Sequence, residues 1–211
     1  MVINILIIIA AYLLGSIPSA VWIGKKFYGI DVREHGSKNA GATNTLRVLG
    51  GKAAAVVFTM DIVKGAAAVT LSRLSSFSQS DSLYIFEIIL IFAAIFGHIF
   101  PVFAGFKGGK GVATLAGATI ALLPLTALTC LGCFILVLAI THYVSVGSMI
   151  TGIVFPFVSY FVFGNTALPL VIYSSSVAVL LLITHRKNIK RLLNKEESKT
   201  YIFTKPKTTA K

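Results

Sequence analysis

The sequence predicts an all-α, polytopic integral membrane protein. It has seven transmembrane helices, one of them short, with the N-terminus outside and the C-terminus cytoplasmic. Three observations carry this expectation. Of 211 residues, 56% are hydrophobic and only 12% are charged, where a soluble domain carries about a quarter charged residues. Apolar runs recur at 2–23, 85–103, 112–140 and 168–184, and a span needs roughly 20 residues. The basic residues, 19 Lys and Arg against 7 Asp and Glu, fall in short segments beside these runs. That is the pattern of cytoplasmic loops. On a soluble chain a formal charge of +12 would suggest nucleic acid. Beside membrane spans it points to anionic lipid or anionic substrates instead.

The first span covers 2–23, with a kink expected at Pro18. Lys25, Lys26 and Arg33 place its end in the cytoplasm. No basic segment precedes it and no small-residue cleavage site ends it, so a retained helix is expected rather than a signal peptide. Residues 31–51 read as a polar loop and 52–71 as the second span. The Ser-rich segment 72–82 carries only Arg73 among basic residues and is placed outside. The third span, 83–105, returns to the cytoplasm. Pro124 divides the next apolar run into a short helix, 112–123, and a full one, 125–143. A short helix is tolerated in a membrane where it packs against protein. Residues 147–163 and 167–184 form a hairpin about Gly164 and Asn165. Residues 1–193 are expected to form one membrane domain. Residues 194–211 form a basic cytoplasmic tail, disordered beyond Glu196. Cys130 and Cys133 lie in an apolar helix and read as small packing residues.

Four polar segments are expected on the cytoplasmic face. The first, GSKNAGATNTLR at 36–47, is small, polar and basic, with no acid after Glu34. Small residues let backbone N–H groups approach a ligand. Ser37, Asn39, Thr43 and Asn44 add hydrogen bonds, and Arg47 is suited to gripping a phosphate with two donors. The second, FKGGKGVAT at 106–114, resembles a shortened Walker A loop. Gly105 lies one residue too close to Gly109, and Lys110 is followed by Gly111 in place of Ser or Thr. With no hydroxyl for Mg²⁺ and no strand–helix context, ATP hydrolysis is not expected. Gly108 and Gly109 are expected to offer a nest of N–H donors at the start of a helix, with Lys107 and Lys110 adding charge. The bland alternative is a basic turn at the bilayer edge. The third segment, YVSVGS at 143–148, is a polar hinge carrying Ser145 and Ser148. The fourth, HRKNIKR at 185–191, sets His185 and Asn188 on one helix face; taken alone it also reads as a basic membrane anchor. Within the second span, Asp61 and Lys64 stand three residues apart. A neutralised pair that fixes packing is the favoured reading, an inner wall of a site the sharper one.

These segments, with LLGSIPSA at 13–20, DIVKG at 61–65 and GHIFPVFAGFKGGKGVAT at 97–114, resemble the acyl-phosphate:glycerol-3-phosphate acyltransferase (PlsY) family of bacteria. The resemblance covers the chain to about Leu193. It implies a multi-pass enzyme of the bacterial cytoplasmic (inner) membrane with its active site on the cytoplasmic side. Such an enzyme moves an acyl chain from acyl phosphate to the 1-hydroxyl of glycerol 3-phosphate, giving lysophosphatidic acid and phosphate. By resemblance, Ser37, Asn39, Thr43 and Asn44 line the acyl-phosphate pocket with the glycine-rich loop. Arg47, Lys110, Ser148, His185 and Asn188 hold glycerol 3-phosphate.

Acyl phosphate is already activated, so positioning and charge stabilisation are the main tasks. The family resemblance implies that a donor phosphate oxygen takes the hydroxyl proton, with no covalent nucleophile on the protein. His185 as a base or orienting group is the competing idea. The His-x4-Asp pattern of soluble-domain glycerolipid acyltransferases is missing: Ala40, Phe103, Gly147 and Lys190 follow the four histidines at that spacing. No cofactor and no metal site are expected. A transporter for an organic phosphate is the alternative from another class, since it would share anion sites and broken helices.

Overall fold

The structure, a computed structural model, describes residues 2–77 and 81–201. Ten α-helices occur among them: α1 (Val2–Gly15), α2 (Ser19–Tyr28), α3 (Ala42–Leu49), α4 (Gly51–Thr70), α5 (Asp81–Ile99), α6 (Val112–Leu122), α7 (Pro124–Thr141), α8 (Val144–Phe157), α9 (Leu168–Thr184) and α10 (Arg186–Leu193). The chain divides into two compact units. The first is Met1–Ala127 with Ala167–Leu170, and the second is Leu128–Thr166 with Val171–Lys211.

Four helical segments are long and apolar enough to cross a membrane: Gly51–Leu74, Ser82–Ala104, Pro124–Thr141 and Val144–Val162. Two bent pairs, α1 with α2 at 42° and α9 with α10 at 57°, raise the number to six if each pair is one span. Helix α6 is apolar but shorter. Large apolar side chains remain on the outside, as lipid requires: Ile140 is 72% exposed and Phe161 75%.

Proline sets the breaks. Pro18 separates α1 from α2, because its ring removes an amide donor and obstructs the preceding turn. Leu123 is driven to φ −134°, ψ 70° ahead of Pro124, as a residue before proline must be. Pro124 then opens α7, where its missing N–H costs nothing. Pro156 inside α8 precedes a π-helical turn, Val158–Val162.

In the first unit, glycines let helices meet backbone to backbone. A Cβ on Gly65 of α4 would strike the Thr114 carbonyl of α6, and one on Gly117 of α6 would strike the Ile62 carbonyl of α4. Gly15 of α1 and Gly97 of α5 make the same kind of contact, against Ala94 and Tyr12. Such close approach replaces the hydrophobic drive that lipid does not supply. Ile7, Ala11, Ala68, Phe86, Leu90 and Ala94 fill the core that results.

The expected polar loop 31–51 contains a helix, α3. Gly41 enters it extended, and its carbonyl accepts the amides of Asn44 and Thr45 and the Thr45 hydroxyl. Leu49 packs toward Ala20, Val32 and Val57. Eight residues are too few to form a helix alone in water, so tertiary packing decides it.

In the second unit, Gly152 of α8 lies against Leu181 of α9, and Phe155 meets Tyr173 edge-on at 5.6 Å. The tail departs from expectation. Residues 194–201 are anchored: the Thr200 amide donates to the His142 carbonyl at 2.7 Å, the Tyr201 ring packs on His142, and Glu197 is buried. The rest of the expected disordered tail, 202–211, lies outside the described residues, as do residues 78–80 of the expected outer loop.

Candidate functional site

In the first unit the structure brings together two of the four polar segments. A Cβ on Gly109 would meet the Ala40 carbonyl at 2.9 Å, so the glycine-rich loop lies against the 36–47 segment.

Asn44 holds the first of these segments in shape. It is 1% exposed. Its amide nitrogen donates to the carbonyls of Val32 (2.7 Å) and His35 (3.1 Å), and its oxygen accepts the Ser37 amide (2.8 Å) and hydroxyl (3.1 Å). Asn44 is therefore a brace whose polar atoms are engaged by the loop itself. Gly36 turns at φ 58° directly above it, where a Cβ would collide with its amide oxygen. Ser37, Asn39, Thr43 and Arg47 are half-buried, and Arg47 lies in the last turn of α3.

The glycine-rich loop is clamped from outside by Arg33. Its guanidinium donates to the carbonyls of Ala104 (2.7 Å) and Lys107 (3.3 Å). Asp31 accepts the Arg33 Nε (2.9 Å) and Nη2 (2.7 Å), and Lys25 stands 3.2 Å away. The Arg33 hydrogen bond outweighs burial and holds the Asp31 carboxyl far below its ordinary range; the same bond raises Arg33. From the sequence Arg33 is only a marker of topology. A basic residue two positions after an acid gives no sign of a clamp to a loop 71 residues away.

The backbone of that loop corrects one expectation. Gly108 and Gly109 do not form a donor nest. Their amides donate to the carbonyls of Ile99 and His98, each at 3.1 Å, so they fold the loop back onto α5. The leading N–H groups of α6, which follow the loop, lack partners within the helix, as at any helix start. Gly111 precedes it at φ 80°, a conformation that favours glycine. Lys107 is exposed and Lys110 half-buried beside this turn.

In the second unit the remaining two segments meet around Glu197. One carboxylate oxygen accepts Ser145 Oγ at 2.9 Å and Asn188 Nδ2 at 2.7 Å; the other accepts Arg191 Nε at 2.6 Å. Burial pushes this carboxyl up, but the three hydrogen bonds outweigh it and hold it below its ordinary value. Two expected ligand contacts, Ser145 and Asn188, are thus tied to a residue of the tail. Ser148 sits one turn from Ser145, is 2% exposed and donates to the Val144 carbonyl at 2.9 Å.

His185, also 2% exposed, marks the bend between α9 and α10. Its Nδ1 lies 2.8 Å from the Leu181 carbonyl. A carbonyl only accepts, so Nδ1 carries the hydrogen.

The model of a family described as glycerol-3-phosphate acyltransferase matches residues 5–195. Relatives described by the same words include one from Bacillus subtilis, 44% identical over 194 residues, covering 92% of this chain and 96% of the relative. Another, from Geobacillus kaustophilus, is 43% identical over 194 residues, covering 92% and 94%. Among solved structures, PlsY, an integral membrane glycerol 3-phosphate acyltransferase, matches in its glycerol 3-phosphate form. The TM-score is 0.83 at 35% identity, covering 94% of this chain and 96% of that one. Its lysophosphatidic acid form matches with a TM-score of 0.80, covering 93% and 94%. The chain belongs to the glycerol-3-phosphate acyltransferase family.

Proposed function

We propose that the protein transfers an acyl chain from acyl phosphate to the 1-hydroxyl of glycerol 3-phosphate, giving lysophosphatidic acid and phosphate. It does so as a multi-pass enzyme of the bacterial cytoplasmic membrane, on the cytoplasmic side. The spans number seven when α6 is counted as the short one, with the N-terminus outside and the C-terminus inside. The observation that carries this reading is the likeness over nearly the whole chain to PlsY in its glycerol 3-phosphate and lysophosphatidic acid forms.

Each residue assignment is part of the same proposal. In the first unit, Ser37, Asn39 and Thr43 serve the acyl-phosphate pocket, with Asn44 shaping it and Lys107, Gly108 and Gly109 forming the loop beside it. Arg47 and Lys110 bind the phosphate of glycerol 3-phosphate. In the second unit, Ser148, His185 and Asn188 bind glycerol 3-phosphate, with Ser145 supporting Asn188 through Glu197.

The chemistry balances without a protein nucleophile. The glycerol hydroxyl oxygen attacks the acyl carbon, and the bond from that carbon to the phosphate oxygen breaks. A phosphate oxygen takes the hydroxyl proton. His185 serves to orient that hydroxyl. The test supplies folded, purified protein with palmitoyl phosphate and glycerol 3-phosphate. Lysophosphatidic acid is the expected product, with none from acyl-CoA or acyl-carrier protein as donor. No product from folded protein would remove the enzymatic reading.

A further inference from the structure

The Asp61–Lys64 pair has no part in the chemistry just described, yet it is 2% and 5% exposed within α4. Lys64 Nζ lies 2.9 Å from Asp61 Oδ1 and donates to the Ile17 carbonyl at 2.8 Å, in the break that Pro18 makes between α1 and α2. Ser19 Oγ donates to the same Asp61 oxygen at 2.9 Å. A broken helix in a membrane needs its freed backbone groups satisfied by neighbours, and this pair satisfies one.

The pair also faces the other way. Asp61 Oδ1 is 3.6 Å from His98 Nδ1, and that nitrogen is 3.1 Å from Thr114 Oγ1 of α6. His98 is 6% exposed. The Nδ1 edge of its ring is thus held by Thr114 of α6, with Asp61 of α4 beside it. The opposite edge faces the glycine-rich loop: a Cβ on Gly109 would strike the ring at Nε2. The His98 carbonyl accepts the Gly109 amide, and the next carbonyl, of Ile99, accepts that of Gly108.

We infer that His98, anchored by Asp61 and Thr114, is a positioning residue for the transfer reaction: it seats the glycine-rich loop that carries Lys110. Ring and backbone act together. The carbonyls at the end of α5 fix the height of the loop, and the imidazole edge sets how closely Gly109 approaches. Only glycine fits there. Asp61 and Lys64 tie the ring's surroundings to the break between α1 and α2, through Ser19 and the Ile17 carbonyl. This inference rests on the acyltransferase reading for its kinetic consequence, and on geometry alone for the seating of the loop.

The experiment compares wild type with His98→Ala, His98→Gln, Asp61→Asn and Glu87→Gln. Glu87 is the control: it lies on the same α5, bonded to Ser72 at 3.1 Å, and touches no part of the loop. Steady-state kinetics with palmitoyl phosphate and glycerol 3-phosphate are measured with hydrogen exchange at the Gly108 and Gly109 amides and the melting temperature in detergent. The expected result for His98→Ala is a rise of about tenfold or more in the KM for glycerol 3-phosphate, whose phosphate Lys110 binds, as for a misplaced contact, with faster exchange at both amides. His98→Gln, which reaches the Nε2 position, recovers part of the loss. Asp61→Asn shifts both readouts in the same direction, and Glu87→Gln matches wild type. A merely structural role would lower the active fraction, and so the apparent kcat, with KM and exchange unchanged; that result overturns the inference. Should wild type itself form no product, the acyltransferase reading fails, while unchanged exchange in the variants would still refute the seating and faster exchange would still support it.

Discussion

Arg47 and Lys110 are the residues whose charge the proposed chemistry needs most directly. Replacing either by Ala removes charge-assisted contacts worth about 1.5–3 kcal/mol each. The expected outcome is a loss of turnover on the order of 10- to 100-fold, with an unchanged melting temperature. Wild-type rates in both variants would show that the substrate phosphate binds elsewhere. Glu197 acts differently. Its carboxyl is held below the ordinary 4.5 by Arg191, Asn188 and Ser145 against the effect of burial. A depressed carboxyl contributes stability that is complete above its unfolded value and lost as pH falls through its folded one. Melting temperature followed downward from pH 7 should therefore drop more steeply below about pH 4.5 in wild type than in Glu197→Gln. At neutral pH the variant should already be less stable, by about 2 kcal/mol for one lost charge-assisted hydrogen bond. Identical acid profiles for the two proteins would contradict this.

At the scale of elements, the sequence exposed what depends on local chemistry and hid what depends on distant partners. Pro18 and Pro124 announced their breaks because proline acts on its own turn. The short helix after the glycine-rich loop was legible for the same reason. Helix α3 was not, since its eight residues are held by Gly41 and by packing of Leu49 on Ala20, Val32 and Val57. The Arg33 clamp, the Glu197 anchor and the turning of Gly108 and Gly109 onto α5 all join residues remote in sequence or direct a backbone amide. Residue type reveals neither. The pairing of α4 with α6 through Gly65 and Gly117 belongs here too. Gly117→Leu should force the two backbones apart and cost about 1–3 kcal/mol, as overpacking does. Gly132→Leu, on a glycine that faces open space, should leave the melting temperature within a degree or two, roughly the effect of a surface change. Equal behaviour of the two variants would show that the close approach does not matter.

At the scale of the whole molecule, apolar composition and the placement of charge were enough to identify a multi-pass membrane protein. The described helices support four to six crossing segments beside the shorter α6. Function was legible because the polar segments are few and basic and stand out against an apolar background. The structure places two of them together in each compact unit: 36–47 with the glycine-rich loop in the first, 143–148 with 185–191 in the second. The acyl-phosphate donor is the part of the proposed function on which the chemistry turns. It is tested most directly by incubating purified protein with palmitoyl phosphate and glycerol 3-phosphate and counting both products. One phosphate is expected for each lysophosphatidic acid formed, with release dependent on glycerol 3-phosphate. Lysophosphatidic acid formed from acyl-CoA but not from acyl phosphate, or no phosphate release by folded protein, would contradict it.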